Sequence, residues 1–332
     1  MSTPTKKLIT NIHWDLNDFC KSECSYCPTR LRGGDVPHET KDYIRVANVL
    51  IDTYASMGRE ISWVFNGGEP LDMDDIVVLL KLCRTSGSWM TLHTNGGKLW
   101  MDWWAIEPYV DKLFLTYHYW QNPQLINYII ETFQNKEKKF EVTVPIRTDG
   151  FDEDMLRADE IEKRFNIKVV RSALYHYADK SAGFMYEYSR DQLYLMSGMK
   201  PPKPPPPPPP IEKPIVVVPK PVIEKPVIVT PPVPQPTLVK EEIKRQTTTW
   251  HERHMEAQNS SPSFTGQLCN IGIERLNITH QGWVTGSDCN NLPLGNIWQP
   301  DWAPPAGPQT CTKISCTSAS DQQITKFPLN AQ

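Results

Sequence analysis

The sequence predicts an α/β protein in which parallel strands form an open or closed barrel, followed by a small irregular C-terminal region. Strand-like and helix-like stretches alternate between residues 8 and 174, and each predicted strand is followed by a loop or a helix. Strands connected in this way usually pair in parallel through right-handed crossovers. The alternation stops at a proline-rich segment, beyond which there is little helical periodicity.

The predicted strands follow from their patterns of apolar residues. The first, at 8–16, alternates apolar and polar residues, while 61–65 (ISWVF) and 89–94 (WMTLHT) are short, mainly apolar runs that end at glycine-containing loops. Such bounded runs of β-branched and aromatic residues are typical of strands. On the same grounds, strands are predicted at 112–118, 140–146 and 167–174.

The predicted helices lie between these strands. The clearest, at 39–56, places Tyr43, Leu50 and Tyr54 on one face, as the helical period requires. Further helices are predicted at 74–84, 102–107, 123–135 and 152–165. In parallel α/β folds, ligand sites collect at the carboxyl ends of the strands, so the loops that leave the strands are where function is expected.

Composition excludes several classes of function. The chain has 35 basic and 38 acidic residues and a net charge of −3, so neither nucleic acid nor an anionic membrane is an expected partner. No apolar run approaches the roughly 18 residues of a membrane span. The first residues, MSTPTKKLITNIHW, contain no apolar signal core, so a reducing cytoplasm is the expected compartment.

Proline divides the chain. Most of its 31 prolines lie at 201–236, and such density is incompatible with helix interiors and central strands. We therefore predict a core domain at 1–199, a proline-rich linker at 200–245 that is disordered or polyproline II, and a C-terminal domain at 246–332. The linker is interpreted as a semi-rigid spacer, with a docking strip for a partner's aromatic groove as the alternative.

Three cysteines lie close together after the first strand. Cys20, Cys24 and Cys27 occur in CKSECSYC with the spacing C-x3-C-x2-C. Thiolates suit soft metals, and three of them on one loop leave one metal position of a four-iron cluster open. Zinc is the alternative, and it would need a fourth ligand, for which His13 and His38 are the nearby candidates.

Two glycine-containing loops follow the next two strands. NGGEP (66–70) follows the second strand and TNGG (94–97) the third. Because the carboxyl ends of parallel strands meet at one edge of the sheet, these loops and the cysteine loop are expected on one rim. Thr116, His118 and Arg147 are near later strand ends and are expected either to face a ligand or to be satisfied rim residues.

The cysteine spacing with Tyr26 before the last cysteine, followed by GGEP and TNG at successive strand ends, resembles the radical S-adenosylmethionine (SAM) superfamily. The resemblance covers residues 8 to 175 and implies a partial (β/α)6 TIM-like barrel. It implies that the three cysteines hold a [4Fe-4S] cluster whose fourth iron binds SAM. SAM cleavage would then give a 5′-deoxyadenosyl radical that takes hydrogen from a substrate.

The resemblance also implies roles for residues near the cluster. Glu69 would accept hydrogen bonds from the SAM ammonium, and Tyr26 would offer a ring near the adenine. Pro70 would fix the exit from the turn. The remaining expected SAM-binding residues, whose backbones or side chains would approach the ligand, are Gly67, Gly68, Thr94 and Asn95.

The C-terminal cysteines extend the resemblance to an auxiliary-cluster extension of the SPASM or, in its short form, twitch type. Its features are Cys269, a turn at Gly282, Cys289 and LGNIW (294–298). With Cys311 and Cys316 the cysteines would number four, enough to close a second [4Fe-4S] cluster with an electron-transfer role. A four-cysteine zinc site is the alternative.

Two functions are therefore carried forward. The first is a radical SAM enzyme, acting on an unknown substrate in peptide or protein modification or in small-molecule oxidation, with an electron donor such as a flavodoxin or ferredoxin. The second is a non-catalytic, zinc-stabilised adaptor that uses the proline-rich strip to bind a partner.

Overall fold

The computed structural model of the chain describes residues 7–22, 24, 26–27, 34, 36, 38–85, 88–98, 100–176, 184–185, 187–199, 264–286, 293–313, 316 and 318–328. The chain divides into two units, one formed by Met1–Met199 with Pro262–Gln332 and the other by Lys200–Ser261. The predicted linker at 200–245 and Cys289 lie outside the described residues. All features below belong to the first unit.

Six strands form the parallel part of one sheet. They are β1 Leu8–Asp15, β2 Arg59–Asn66, β3 Trp89–Thr94, β4 Lys112–Thr116, β5 Lys139–Ile146 and β6 Val169–Ala173. They lie side by side in chain order, each parallel to the next. The predicted strands and their parallel pairing are confirmed. Among the described strands the sheet ends at β6, so closure into a barrel stays a prediction.

Helices connect these strands. They are α1 Thr40–Ser56, α2 Ile76–Thr85, α3 Trp100–Ile106, α4 Pro123–Asn135 and α5 Phe151–Phe165, with short 3-10 helices at Pro70–Asp72 and Glu107–Tyr109. Local sequence explains their ends. The Asn122 side chain caps α4 by accepting a hydrogen bond from the Gln124 N–H, and Asn166 ends α5 in the left-handed conformation.

The core lies between the sheet and these helices. Ile12 and Trp14 of β1 are fully buried against Tyr43 and Leu50 of α1 in one continuous apolar cluster. After β6 come three short elements: β7 Tyr175–His176, β8 Phe184–Met185 and α6 Arg190–Met196. Among the described residues, no helix combines the length and apolar character needed to cross a bilayer.

The C-terminal region continues the same sheet. β10 Arg275–Ile278 pairs in parallel with β1, and β11 Trp283–Thr285 and β12 Pro293–Asn296 follow it as antiparallel strands. A separate small sheet contains β9 Leu268–Cys269 between β13 Gln309–Thr310 and β14 Lys326–Phe327, with the short helix α7 Ala319–Gln322 before β14. The C-terminal region thus contacts the core through β1.

Candidate cofactor site

The cysteine loop and the two glycine-containing loops surround one cavity of about 480 Å³ at the carboxyl ends of the strands. Its lining residues, many of which were predicted from the sequence, are Cys20, Ser22, Cys24, Tyr26, Cys27, Asn66, Gly67, Gly68, Glu69, His93, Thr94, Asn95, Thr116, His118, Ser172, Ala173 and Leu174. The structure therefore brings the three loops together, as the strand order predicts.

The GGEP loop pairs with the chain that leads into the cysteine loop. Gly68 N–H donates to Asn17 O, and Glu69 N–H donates to Phe19 O, each at 2.8 Å. A Cβ on Gly67 would lie 2.6 Å from Asn17 O, and one on Gly68 would lie 2.2 Å from Phe19 O. Glycine is therefore needed at both positions, because a larger side chain would overlap the backbone of Asn17 or Phe19.

The side chain of Asn17 also joins the GGEP loop to the chain that leads into the cysteine loop. It is fully buried, its Nδ2 donates to Glu69 O at 3.2 Å, and its Oδ1 accepts from Phe19 N–H at 3.2 Å. Asp72 makes a further hydrogen bond to this loop: its Oδ2 accepts from Lys21 N–H at 2.9 Å. The loop that carries the cysteines is therefore held at its start by backbone and side-chain hydrogen bonds from the end of β2.

Glu69 connects the ends of β2 and β3. Its Oε1 accepts from Leu71 N–H at 2.9 Å and from Thr94 Oγ1 at 2.6 Å, and its Oε2 accepts from Asn95 N–H at 2.7 Å. The residue is only 2% exposed, and burial raises the pKa of its carboxyl group to about 7. Pro70, also buried, follows as the first residue of the 3-10 helix. The predicted bond from Glu69 to a SAM ammonium stays a prediction, because the bonds described are to the chain.

Asn95 reaches from the TNGG loop to the cysteine loop. Its Nδ2 lies 3.7 Å from Cys20 Sγ and 3.4 Å from Ser22 Oγ, and its Oδ1 accepts from Gly97 N–H at 2.8 Å. Thr94 is also buried, and its Oγ1 accepts from Gly96 N–H at 2.9 Å. The side chain of Asn95 therefore positions Cys20 and places a donor beside its sulfur.

The rings of Tyr26 and His118 line another side of the cavity. Tyr26 donates to, or accepts from, His118 Nδ1 at 2.7 Å, and the same nitrogen is 4.0 Å from Cys24 Sγ. The ring of His118 stacks on Tyr26, with centroids 5.9 Å apart, and on Trp120 at 5.4 Å. Burial lowers the pKa of His118 to about 4. The Tyr26 ring thus faces a cavity that contains the cysteines.

Gln121 joins the loops after β3 and β4. It is 9% exposed, its Oε1 accepts from His118 N–H, and its Nε2 donates to Asn95 O. Arg147, by contrast, is held on the rim. Its Nε and Nη2 donate to the two carboxylate oxygens of buried Asp154 at 2.8 and 3.0 Å.

The donor set at this cavity fits a four-iron cluster. Cys20, Cys24 and Cys27 all line it, and burial raises the pKa of the Cys20 thiol. Within the described ranges, no three His, Cys, Asp or Glu side chains converge as ligands of a single metal ion. A cluster takes each thiolate on a different iron, so cysteines that surround a cavity suit it. Of the histidines considered for zinc, His38 stacks on Trp298 and His13 approaches Arg275.

Two of the described C-terminal cysteines lie in or next to the small sheet. Cys269 ends β9, and Cys311 directly follows β13, where its N–H donates to Gln267 O at 2.8 Å. Burial raises the pKa of the Cys269 thiol, and the neighbouring Cys311 and Cys316 add to this increase. Among the described residues, Cys269 and Cys311 share a small core with Ile271, Ile324 and Phe264. A region with so few apolar contacts is one that a bound metal or cluster would stabilise.

The segment 294–298 (LGNIW) packs on the core. Trp298 stacks on His38 with ring centroids 3.7 Å apart and meets Tyr43 of α1 edge-on at 5.2 Å. Gly282 has a φ of +81°, and a Cβ there would lie 2.2 Å from the Trp298 ring. The motif and its glycine turn therefore attach the C-terminal region to α1.

Sequence reasoning missed five polar residues of the cavity and its supports: Asn17, Ser22, His93, Gln121 and Ser172. Asn17 and Ser172 lie at the carboxyl ends of strands, where ligand sites are expected. Gln121 carried no sequence signal, because its two partners are in loops that only the fold brings together.

Comparisons with known proteins give fold similarities only. No protein-family model matches the chain, and no curated protein matches it. Solved structures with a similar fold include SuiB of Streptococcus suis, at a TM-score of 0.48 and 14% identity, covering 89% of this chain and 64% of that one. Another is anSMEcpe with bound AdoMet and the Cp18Cys peptide, at a TM-score of 0.45 and 14% identity, covering 88% and 78%. The chain thus spans less than two thirds of SuiB, and similarities at this level say nothing of its ligands.

Proposed function

We propose that the chain is a radical SAM enzyme that holds a [4Fe-4S] cluster on Cys20, Cys24 and Cys27 and binds SAM beside it. The observation that carries the proposal is the shared cavity, in which all three cysteines meet the GGEP and TNGG loops. An adaptor has no need to place these loops around a cysteine-lined cavity.

When bound, the cluster and SAM supply the chemistry, which is reductive cleavage of the sulfonium to methionine and a 5′-deoxyadenosyl radical. The chain's own residues hold the ligands in place. Asn95 supports Cys20, and the Glu69 bonds keep the second and third loops at fixed separation. Tyr26, oriented by His118, offers a ring to the adenine. The radical would take a hydrogen atom from a peptide, a protein or a small molecule.

A second [4Fe-4S] cluster on Cys269, Cys289, Cys311 and Cys316 belongs to the same proposal, with an electron-transfer role and a flavodoxin- or ferredoxin-like donor. The small core that Cys269 and Cys311 share supports it. We also propose that the core domain ends at residue 199, that the proline-rich linker covers 200–245, and that the C-terminal domain begins at residue 246.

Anaerobic reconstitution tests the proposal. The full chain should take up about eight irons, as two four-iron clusters require. After reduction it should convert SAM to 5′-deoxyadenosine, measured by liquid chromatography and mass spectrometry. Protein purified without oxygen that contains zinc and no iron would favour the adaptor. Fully loaded protein that binds no SAM would defeat the radical SAM assignment.

A further inference from the structure

A buried glutamine lies where the loops after β3 and β4 meet. Gln121 is 9% exposed, although glutamine side chains are mostly found at protein surfaces. Its Oε1 accepts from His118 N–H, and its Nε2 donates to Asn95 O. Its own N–H donates to His118 O at 3.2 Å. One amide side chain thus joins the main chains of two loops that are separated in sequence by α3 and β4.

The two residues that Gln121 joins each contact a different cysteine. Asn95 Nδ2 lies 3.7 Å from Cys20 Sγ, and His118 Nδ1 lies 4.0 Å from Cys24 Sγ. In both residues the side chain meets the sulfur, while Gln121 holds the backbone. The relative position of the two side chains that contact these sulfurs therefore depends on Gln121.

His118 also carries this dependence to an aromatic ring. Its Nδ1 is 2.7 Å from Tyr26 Oη, and its ring stacks between those of Tyr26 and Trp120, with centroids 5.9 and 5.4 Å away. These contacts on both faces restrict rotation of the imidazole. A shift of the His118 backbone would therefore displace its contacts with Cys24 and Tyr26 together.

Loss of the Gln121 side chain would leave two main-chain groups without these partners. Asn95 is 8% exposed, so its carbonyl would be buried without the hydrogen bond from Gln121, and His118 N–H would lose its acceptor. Buried polar groups without partners are costly, so both loops would be expected to move. Asn95 N–H would still donate to Glu69 Oε2, which holds the loop after β3 from the side of β2 only.

We propose that Gln121 is a positioning residue of the cofactor site, which keeps Cys20 and Cys24 in the relative position that a cluster requires. It acts through Asn95 and His118, and it is not among the residues that line the cavity. The inference rests on the proposed function for the identity of the ligand. The position of the two thiols is a property of the metal-free chain and can be measured there.

The first test measures thiol accessibility in the metal-free full chain. Gln121→Met keeps an unbranched side chain and removes both hydrogen bonds, whereas Gln121→Asn is one methylene shorter and cannot reach both partners. Neither substitution changes the charge near the thiols. Alkylation by iodoacetamide, followed by mass spectrometry of the peptides, gives a rate for each cysteine. The rates at Cys20 and Cys24 should rise roughly five- to tenfold, the factor that a lost hydrogen bond typically represents.

Two controls separate positioning from general loosening. Cys83 is fully buried on α2, so its alkylation reports unfolding of the core and should not change. Gln124→Met replaces an exposed glutamine in the first turn of α4 and should leave all the rates unchanged. An equal increase at Cys83 would overturn the proposal, as would unchanged rates at Cys20 and Cys24 in both Gln121 variants.

The second test measures SAM binding to the reconstituted chain in which Cys269, Cys311 and Cys316 are changed to Ala. The SAM concentration that half-completes the change in the electron paramagnetic resonance spectrum should be roughly five- to tenfold higher with Gln121→Met than with Gln124→Met. Equal concentrations would overturn the proposal. A parent chain that loads iron and gives no response to SAM would instead defeat the proposed function, and the alkylation rates would still decide whether Gln121 positions the thiols.

Discussion

The two cysteine sites are built in contrasting ways. Cys20, Cys24 and Cys27 lie on one loop, and hydrogen bonds from the ends of β2 and β3 hold that loop. Cys269 is far in sequence from Cys311 and Cys316, and a three-stranded sheet brings Cys269 and Cys311 together. Closely spaced ligands need support from neighbouring loops, whereas widely spaced ligands need strand pairing.

The charges around the two sites differ as well. Burial raises the pKa of Cys20, and the carboxylates of Glu69 and Asp72 raise it further. At Cys269 burial also raises the pKa, but Lys326 opposes the increase. On these charges, a cluster on the N-terminal cysteines, as proposed, should have a lower reduction potential than one on the C-terminal cysteines.

The largest expected effect separates the two cysteine sets. Cys24→Ala should reduce 5′-deoxyadenosine formation to the background level, because the proposed SAM-binding cluster would lose a ligand. Cys311→Ala should lose up to about four irons yet still cleave SAM with dithionite as reductant. Iron analysis and mass spectrometry measure both results. Equal loss of SAM cleavage in the two variants would contradict the division of roles.

A pH-dependent stability is expected from Glu69. Because burial raises the pKa of its carboxyl group from 4.5 to about 7, the folded chain keeps a proton that the unfolded chain releases. The resulting stabilisation is complete below the ordinary value and is lost as the pH rises through 7. The unfolding free energy of the metal-free chain should fall by roughly 3 kcal/mol between about pH 4.5 and pH 8 from this group.

Glu69→Gln should remove this component of the pH dependence. Urea unfolding of both proteins across the pH range gives the comparison. Parallel pH profiles for the parent and the variant would show that Glu69 does not titrate in this window.

A smaller effect should follow from adding a side-chain carbon where the GGEP loop contacts the chain that leads into the cysteine loop. Gly68→Ala would place a Cβ 2.2 Å from Phe19 O, so we expect a loss of about 1–3 kcal/mol and poor cluster loading. Gly307→Ala is the matched control, because a Cβ there meets nothing within 4 Å. Urea unfolding and iron content measure the two effects. Normal iron loading in Gly68→Ala would mean that the cysteine loop does not depend on this contact.

The smallest expected effect concerns the donor beside Cys20. Asn95→Ala removes the amide that lies 3.7 Å from the sulfur, so the N-terminal cluster should take a more negative potential. Stability should fall by about 1 kcal/mol. A redox titration of the chain with Cys269, Cys311 and Cys316 changed to Ala isolates this cluster. Asn127→Ala, on α4, provides the control, and equal potentials in both variants would rule out a role for Asn95 at the sulfur.

Local patterns predicted the parallel strands because each strand is a short apolar run with its own boundaries. Because ligand sites in parallel α/β folds collect at the carboxyl ends of the strands, the three loops that meet at the cavity could then be predicted. Contacts between distant segments were not predictable. Gly67 and Gly68 were expected to approach a ligand, which stays a prediction. What the sequence did not indicate is that the backbone of Asn17 and Phe19 takes the space that a Cβ would need at these positions. Nothing local marks β10 as the partner of β1, because strand pairing across such a separation depends on the whole fold.

The open iron at the N-terminal cluster is the central claim, and SAM binding tests it most directly. Two chains should be compared after reduction, one lacking Cys269, Cys311 and Cys316 and the other lacking Cys20, Cys24 and Cys27. Adding SAM should change the electron paramagnetic resonance spectrum of the first chain and leave that of the second unchanged. A loaded first chain whose spectrum does not respond to SAM, or a second chain whose spectrum does, would contradict the assignment of the open site to CKSECSYC.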